Sequence, residues 1–235
     1  MLKKFFLSAL VILAILLFIA LYRTVTHTAP IAEIISGETI SIDEIKASQN
    51  LAASIRFKTI SYQDEEKFPY EEFNNFIKWA AATYPEFHQA MEIDQLEHSL
   101  LFKWQGSDAT LAPILFEGHH DVVPIIPGTE NLWQENPFAG VISNNRIWGR
   151  GALDDKSGVV GLMEAATYLI KNNFKPKRTT YFSFGHDEEV GGSGAALITE
   201  KLRQEGVQLS WSLGEGSFVN KGFFPGIDKF IAPIN

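Results

Sequence analysis

Ile114-Leu115-Phe116 leads into Gly118-His119-His120-Asp121, a short apolar run that ends in a knot of metal-binding side chains. Two further stretches repeat the pattern. Ile147-Trp148 passes through Gly149-Arg150-Gly151 to Asp154-Asp155, and Tyr181-Phe182-Ser183-Phe184 runs into His186-Asp187-Glu188-Glu189. Short apolar runs bounded by turn residues read as buried strands. In open α/β sheets chemistry gathers where strands exit at their carboxyl ends, so three such exits are expected to converge on one point. Gathered without a counter-ion, Asp121, Asp154, Glu188 and Glu189 would repel at roughly 4 kcal/mol per pair for charges about 4 Å apart in an effective dielectric of 20. One or two bound dications relieve that repulsion.

Around these runs the periodicity changes. Val159, Val160, Leu162, Met163, Ala166, Leu169 and Ile170 recur at helical spacing and stop at Lys171-Asn172-Asn173. Ser41-Ile42-Asp43-Glu44 reads as a helix start with Ser41 as its cap, continuing through Ile55. Tyr70 to Ala82 and Gly194 to Leu202 read as two more helices. Ser99 to Trp104, Pro113 to Phe116, Thr179 to Phe184 and Val207 to Leu213 read as strands, with turn chemistry at Gln105-Gly106-Ser107-Asp108. Alternating helix and strand predicts one α/β domain over 41–235, a three-layer αβα arrangement whose mainly parallel mixed sheet is covered on both faces. The last apolar run, Phe230-Ile231-Ala232-Pro233-Ile234, has no closing element, as expected of a catalytic domain whose C-terminal part is absent.

The N-terminus has a different character. Lys3-Lys4 precedes an apolar run from Phe5 to Tyr22 in which Ser8 is the only polar side chain. At 1.5 Å per residue such a helix spans about 27 Å, close to the hydrocarbon thickness of a bilayer. Residues 1–23 are therefore expected to form a transmembrane anchor, with a cleaved signal peptide as the competing reading. Lys3, Lys4 and the terminal amine outweigh Arg23, which places the N-terminus in the cytoplasm and the domain outside it, periplasmic or extracellular. Residues 24–40 read as a tether.

The 235 residues carry a formal charge of −8 and no cysteine. Disulfide frameworks, thiolate metal sites and cysteine nucleophiles are thereby excluded, and any transition metal must sit on His and carboxylates. No basic stripe with interleaved aromatics appears, which argues against nucleic acid. No Gly-x-Ser-x-Gly elbow occurs either.

Each cluster offers a distinct chemistry, and each has a plainer reading. His119 and Asp121, two apart, share a face of an extended segment, so His119 can give one ring nitrogen to a metal while Asp121 fixes the tautomer; alone, the motif reads as a surface His–Asp pair. Asp154 can bridge two metals, although Asp154 or Asp155 could equally cap the following helix. Glu188 and Glu189 point different ways, so one can bind metal while the other handles protons; a lone Glu-Glu is usually a solvated loop. Glu215, between Gly214 and Gly216, is a fourth candidate or a turn acid.

Gly118-His119-His120-Asp121-Val122-Val123-Pro124, Gly149-Arg150-Gly151-Ala152-Leu153-Asp154-Asp155-Lys156-Ser157-Gly158 and Asp187-Glu188-Glu189-Val190-Gly191-Gly192, in that order, resemble the dinuclear-zinc metallopeptidase family of aminoacylase, succinyl-diaminopimelate desuccinylase and carboxypeptidase S. The carboxypeptidase S-like and N-acyl-amino-acid hydrolase branch is nearest. The resemblance implies two Zn2+ ions (Co2+ or Mn2+ as substitutes), with His119 on one, Asp154 bridging, Glu189 on the other, Glu188 as general base and Asp121 supporting His119. It implies hydrolysis of a peptide or N-acyl amino acid. Where carboxypeptidase S-like members often place Asp, this chain has Gly214, which leaves Glu215 as the carboxylate, as in desuccinylase-like members. The family's second His ligand and its lid or dimerisation domain have no counterpart in the 235 residues, so a homodimer is expected only where a lid is present. The competing expectation is an inactive metal-binding or interaction module.

Overall fold

A computed structural model of the chain describes residues 2–26 and 40–215, together with the strand pairs at 220–221 and 230–231. The chain divides into two compact units, Met1–Ser41 and Ile42–Asn235. In the first, helix α1 covers Leu2–Thr26. In its last turn, past Arg23, the Thr24 and Thr26 hydroxyls bond back to the Ala20 and Tyr22 carbonyls. Lys3–Thr26 is long and apolar enough to cross a membrane, a test that a signal sequence also passes. Most of the expected tether, 27–39, lies outside the described residues.

The second unit contains helices α2 (Glu44–Ile55), α3 (Tyr70–Thr83), α4 (Pro85–Gln89), α5 (Lys156–Lys171) and α6 (Gly194–Gln204). Its strands are β1 (Glu92–Leu96), β2 (Ser99–Trp104), β3 (Ile114–His119), β4 (Val141–Ser143), β5 (Arg146–Trp148), β6 (Thr180–Gly185), β7 (Trp211–Leu213), β8 (Asn220–Lys221) and β9 (Phe230–Ile231). Five of them form the central sheet in the order β1-β2-β6-β3-β7. The β6–β3 and β3–β7 pairs are parallel, and β1–β2 and β2–β6 are antiparallel. The sheet is thus mixed, with its parallel half on the side that carries the metal-binding residue types.

Both faces are covered, and the two cores follow from strand alternation. Leu100 and Phe102 of β2 and Phe182 and Phe184 of β6 pack on α3, α4 and α5 through Phe76, Phe87, Val159 and Met163. On the opposite face Leu101, Leu115 and Tyr181 meet Ile198 and Leu202 of α6. Gly118 permits the close approach of α5 to β3: a Cβ there would lie 2.9 Å from Asp155 Oδ2 and 3.2 Å from Val159 Cγ2.

Several local expectations are corrected. The cap of α2 is Asp43, whose carboxylate accepts the Lys46 N–H at 2.9 Å, and Ser41 stands outside the helix. The Ile147-Trp148 run is not an exit of the central sheet. It belongs to β5, which pairs with β4 in a separate hairpin turned by Asn144 and Asn145 in the left-handed region. Only the end of the Val207–Leu213 run is strand: regular pairing with β3 begins where Trp211 meets Ile114, preceded by the single bond from the Ser210 N–H to the Pro113 carbonyl. The exposed edge strand β1 has no clear alternation and shows itself only in its pairing with β2.

Lys156 and His120 are fully buried behind the site. Lys156 Nζ donates to the Ser54 carbonyl at 3.0 Å and the Phe57 carbonyl at 2.6 Å, tying the end of α2 to the start of α5, and burial lowers its pKa to about 7. The His120 ring stacks on Phe76 at 4.8 Å with neither nitrogen hydrogen-bonded, and burial lowers its pKa to about 3. Because the unfolded chain binds this proton near pH 6.5 and the folded chain does not, stability is expected to fall as pH drops from 6.5 toward 3. The slope from this one group is about 1.4 kcal/mol per pH unit, or about 2 kcal/mol between pH 6.5 and 5. Denaturant unfolding of wild type and His120→Leu across that range checks it: the variant should show the shallower acid limb.

Candidate metal centre

Three neighbouring parallel strands deliver the site. β3 ends at His119, flanked by β6, whose exit leads to Glu188 and Glu189, and by β7, whose exit leads to Glu215. The fourth contributor, Asp154, arrives from the loop between β5 and α5. His119 is buried, and its Nε2 lies 3.0 Å from Asp154 Oδ1, 3.3 Å from Glu215 Oε2 and 3.9 Å from Glu188 Oε2. Among the described residues, His119, Asp154 and Glu215 can each place a donor atom around one point. One imidazole and two carboxylates form a donor set suited to zinc and its neighbours. His119, Glu188 and Glu215 open onto a cleft of ≈ 720 Å³.

The two aspartates after Gly149-Arg150-Gly151 divide the work. Asp155 caps α5 by accepting the Gly158 N–H at 3.1 Å, and its other oxygen accepts the His119 N–H at 3.3 Å. Asp154 remains free to face the imidazole. The peptide between them is cis.

Asp121 organises the other side. His119 Nδ1 lies 3.2 Å from both its carboxylate Oδ1 and its main-chain oxygen. Oδ1 also accepts the Glu188 N–H at 3.1 Å, and Oδ2 accepts the Glu189 N–H at 3.2 Å and the Ser61 hydroxyl at 2.6 Å. One carboxylate therefore aims the histidine and fastens the 3-10 turn Glu188–Val190. Asp187, at the start of that turn, ties it to α6 by accepting the Gly194 N–H at 2.9 Å. Gly194 is required there, since a Cβ would collide with Asp187, Ser99 and His186.

Electrostatics report an excess of negative charge. Burial pulls the His119 pKa down, but the hydrogen bond and charge of Asp121, with Glu215 and Asp155, overcome it and raise the value to about 10. Burial likewise pushes Asp121 up, and the bonds from His119 and Ser61 hold it below the usual carboxylate range. Glu189 and Glu215 are raised, first by burial and then by surrounding acids, Asp154 among them. The acids that face Nε2, Asp154 and Glu215, offer two negative charges to one point, which suits a divalent ion better than a proton.

The structure thus brings together His119, Asp154 and Glu215, with Glu188 beside them and Asp121 behind. Glu189 lies outside the three-donor set, although it senses the charges of Asp154, His119 and Asp121. Ser61 and the anchoring role of Asp187 were not legible in the sequence, whereas the cap role of Asp155 is one of the two readings that the sequence left open. Ser61 in particular lies in an unpatterned stretch far from every motif, and only the parallel bridge between Ile60 and Val122 brings it in.

Known proteins place this architecture. Residues 115–228 match "Peptidase family M20/M25/M40". The chain is 37% identical over 219 residues to a probable carboxypeptidase S-like 2 of Dictyostelium discoideum, covering 89% of this chain and 42% of that protein. It is also 37% identical over 198 residues to the mouse (Mus musculus) N-fatty-acyl-amino acid synthase/hydrolase PM20D1, covering 82% and 38%. An M20 family metallo-carboxypeptidase from Sulfolobus solfataricus shares the fold with a TM-score of 0.59 at 20% identity, over 75% of this chain and 38% of that one. The chain spans about two fifths of the length of the curated relatives it matches. The family match over residues 115–228 takes in the ordered clusters around His119, Asp154 and Glu188 and the parallel strands that present them, so in sequence and in fold this part of the chain is similar to peptidase family M20/M25/M40.

Proposed function

We propose that the chain contributes the metal centre of a zinc-dependent hydrolase that cleaves the amide bond of a peptide, in the manner of a carboxypeptidase, or of an N-acyl amino acid. The observation that carries the reading is one buried imidazole nitrogen facing Asp154 at 3.0 Å and Glu215 at 3.3 Å, with Glu188 at 3.9 Å in the same open cleft. His119, Asp154 and Glu215 fit a zinc ion by their donor chemistry, and Glu189 extends the acidic set toward a second. Names among the relatives, carboxypeptidase S-like and N-fatty-acyl-amino acid synthase/hydrolase, support the two substrate classes. The N-terminal helix supports a membrane anchor with the domain outside the cytoplasm.

When bound, the ions acidify a water and polarise an amide carbonyl. The chain's own residues do the rest. Asp121 holds Nδ1 of His119, so that Nε2 faces the cleft. Glu188 has its main chain pinned by Asp121 and its carboxylate in the cleft, which suits it to take a proton from water and return it to the departing amine. Asp155 holds the main chain of His119 from the opposite side.

Glu188→Gln should retain the bound metal while turnover falls at least 10²-fold, measured by elemental analysis beside an amidase assay. Unchanged turnover removes Glu188 from the proton-transfer role. Asp154→Ala and Glu215→Ala should each lower the zinc content of the purified chain, and wild-type stoichiometry in both would refute the ligand set. A reporter fused after Asn235 should signal outside the cytoplasm; a cytoplasmic signal contradicts the orientation.

A further inference from the structure

The buried stretch Thr59–Ser61 runs alongside 120–122 and is pinned to it at three points. The Val122 N–H donates to the Thr59 carbonyl at 2.9 Å, the Ser61 N–H to the Val122 carbonyl at 3.2 Å, and the Thr59 hydroxyl to the His120 carbonyl at 2.5 Å. Its entry is held by Lys156 Nζ on the Phe57 carbonyl. Ser61 is 1% exposed and Asp121 0%, so neither side chain has solvent as an alternative partner. The Asp121 carboxylate accepts three hydrogen bonds, of which that from the Ser61 hydroxyl is the shortest, at 2.6 Å against 3.1 Å from the Glu188 N–H and 3.2 Å from the Glu189 N–H, and His119 Nδ1 lies 3.2 Å from its Oδ1.

We infer that Ser61 is a positioning residue for the metal centre: its hydroxyl fixes the rotation of the Asp121 carboxylate, so that one oxygen stays on His119 Nδ1 and the Glu188 N–H while the other stays on the Glu189 N–H. This rests on the metal-site reading above. Removing the hydroxyl leaves a buried carboxylate oxygen short of a donor and frees the plane of the group to turn. Histidine and the Glu188–Glu189 turn, which share that carboxylate, then lose their mutual alignment. Groups that orient a ligand from behind in this way typically cost 10–100-fold in metal affinity when removed.

The test uses the full 235-residue chain in detergent, titrated with Co2+ against a competing chelator, with the visible spectrum of the bound ion and the unfolding midpoint recorded together. Ser61→Ala should weaken Co2+ binding about tenfold or more and alter the spectrum. Ser61→Thr, which keeps the hydroxyl, should restore both. Thr59→Val removes a neighbouring buried hydroxyl that bonds main chain instead of Asp121, and should lower the unfolding midpoint while keeping the spectrum. Should the alanine variant fail to fold, Ser61→Cys, a weaker donor of similar size, is read in the same way with a smaller loss. Wild-type affinity and spectrum in the alanine variant overturn the inference, as do equal losses in it and Thr59→Val without rescue by threonine. A wild-type chain that takes up no ion overturns the metal-site reading itself, and this one with it.

Discussion

The carboxylate of Asp121 is the point on which the site depends. It is buried and meets three separate stretches of chain: it accepts the Ser61 hydroxyl from the segment after α2 and the Glu188 and Glu189 N–H groups from the exit of β6, and its Oδ1 lies 3.2 Å from His119 Nδ1. An ionised carboxylate costs several kcal/mol to bury unless its lone pairs are filled. Here His119 and Glu188, which line the cleft, and Glu189 beside them are among the partners that fill them. The requirement to satisfy one buried charge and the requirement to align a reactive site are therefore met by the same contacts.

A second clamp works from the other direction. Asp155 caps α5 and receives the His119 N–H, so the start of the helix and the end of β3 move as one body. Gly118 lets them meet at that distance. Lys156, next in the chain, reaches back to the end of α2, which leads into the stretch carrying Ser61. The histidine is thus held through its main chain by Asp155 and through its ring by Asp121, leaving Nε2 as the free donor atom. Glu188 and Glu215 face the cleft, Asp154 lies against the same nitrogen, and among the described residues no lysine or arginine pairs with these acids, an arrangement suited to a bound cation.

The rest of the sheet positions these clamps without taking part in them. The parallel trio β6-β3-β7 sets three strand ends side by side, and β2, antiparallel to β6, extends the apolar platform on which α3 and α4 pack. Phe76 spans both roles: it belongs to that core, and its ring stacks on His120, keeping the neighbour of the site histidine neutral and out of the cleft. Packing on one face of the sheet and chemistry at its edge are joined through adjacent residues that point opposite ways.

Much of this was legible in the chain itself. Periodicity located α3, α5 and α6 to within a few residues and identified β2, β3 and β6, because those patterns arise from neighbours two to four residues apart. The residue types of the three clusters announced carboxylate and imidazole chemistry, and the N-terminal apolar run announced its own helix. Tertiary structure decided what local order leaves open. Whether Asp154 or Asp155 would cap α5 depends on which carboxylate meets the Gly158 N–H and the strand beside it, and both residues satisfy the same local rule. That Ile147-Trp148 belongs to a hairpin apart from the main sheet, that β6 lies between β2 and β3, and that Ser61 reaches Asp121 across sixty positions follow from pairings between distant segments. Such contacts depend on loop closure and on the satisfaction of buried polar groups, and no local pattern of residues encodes either.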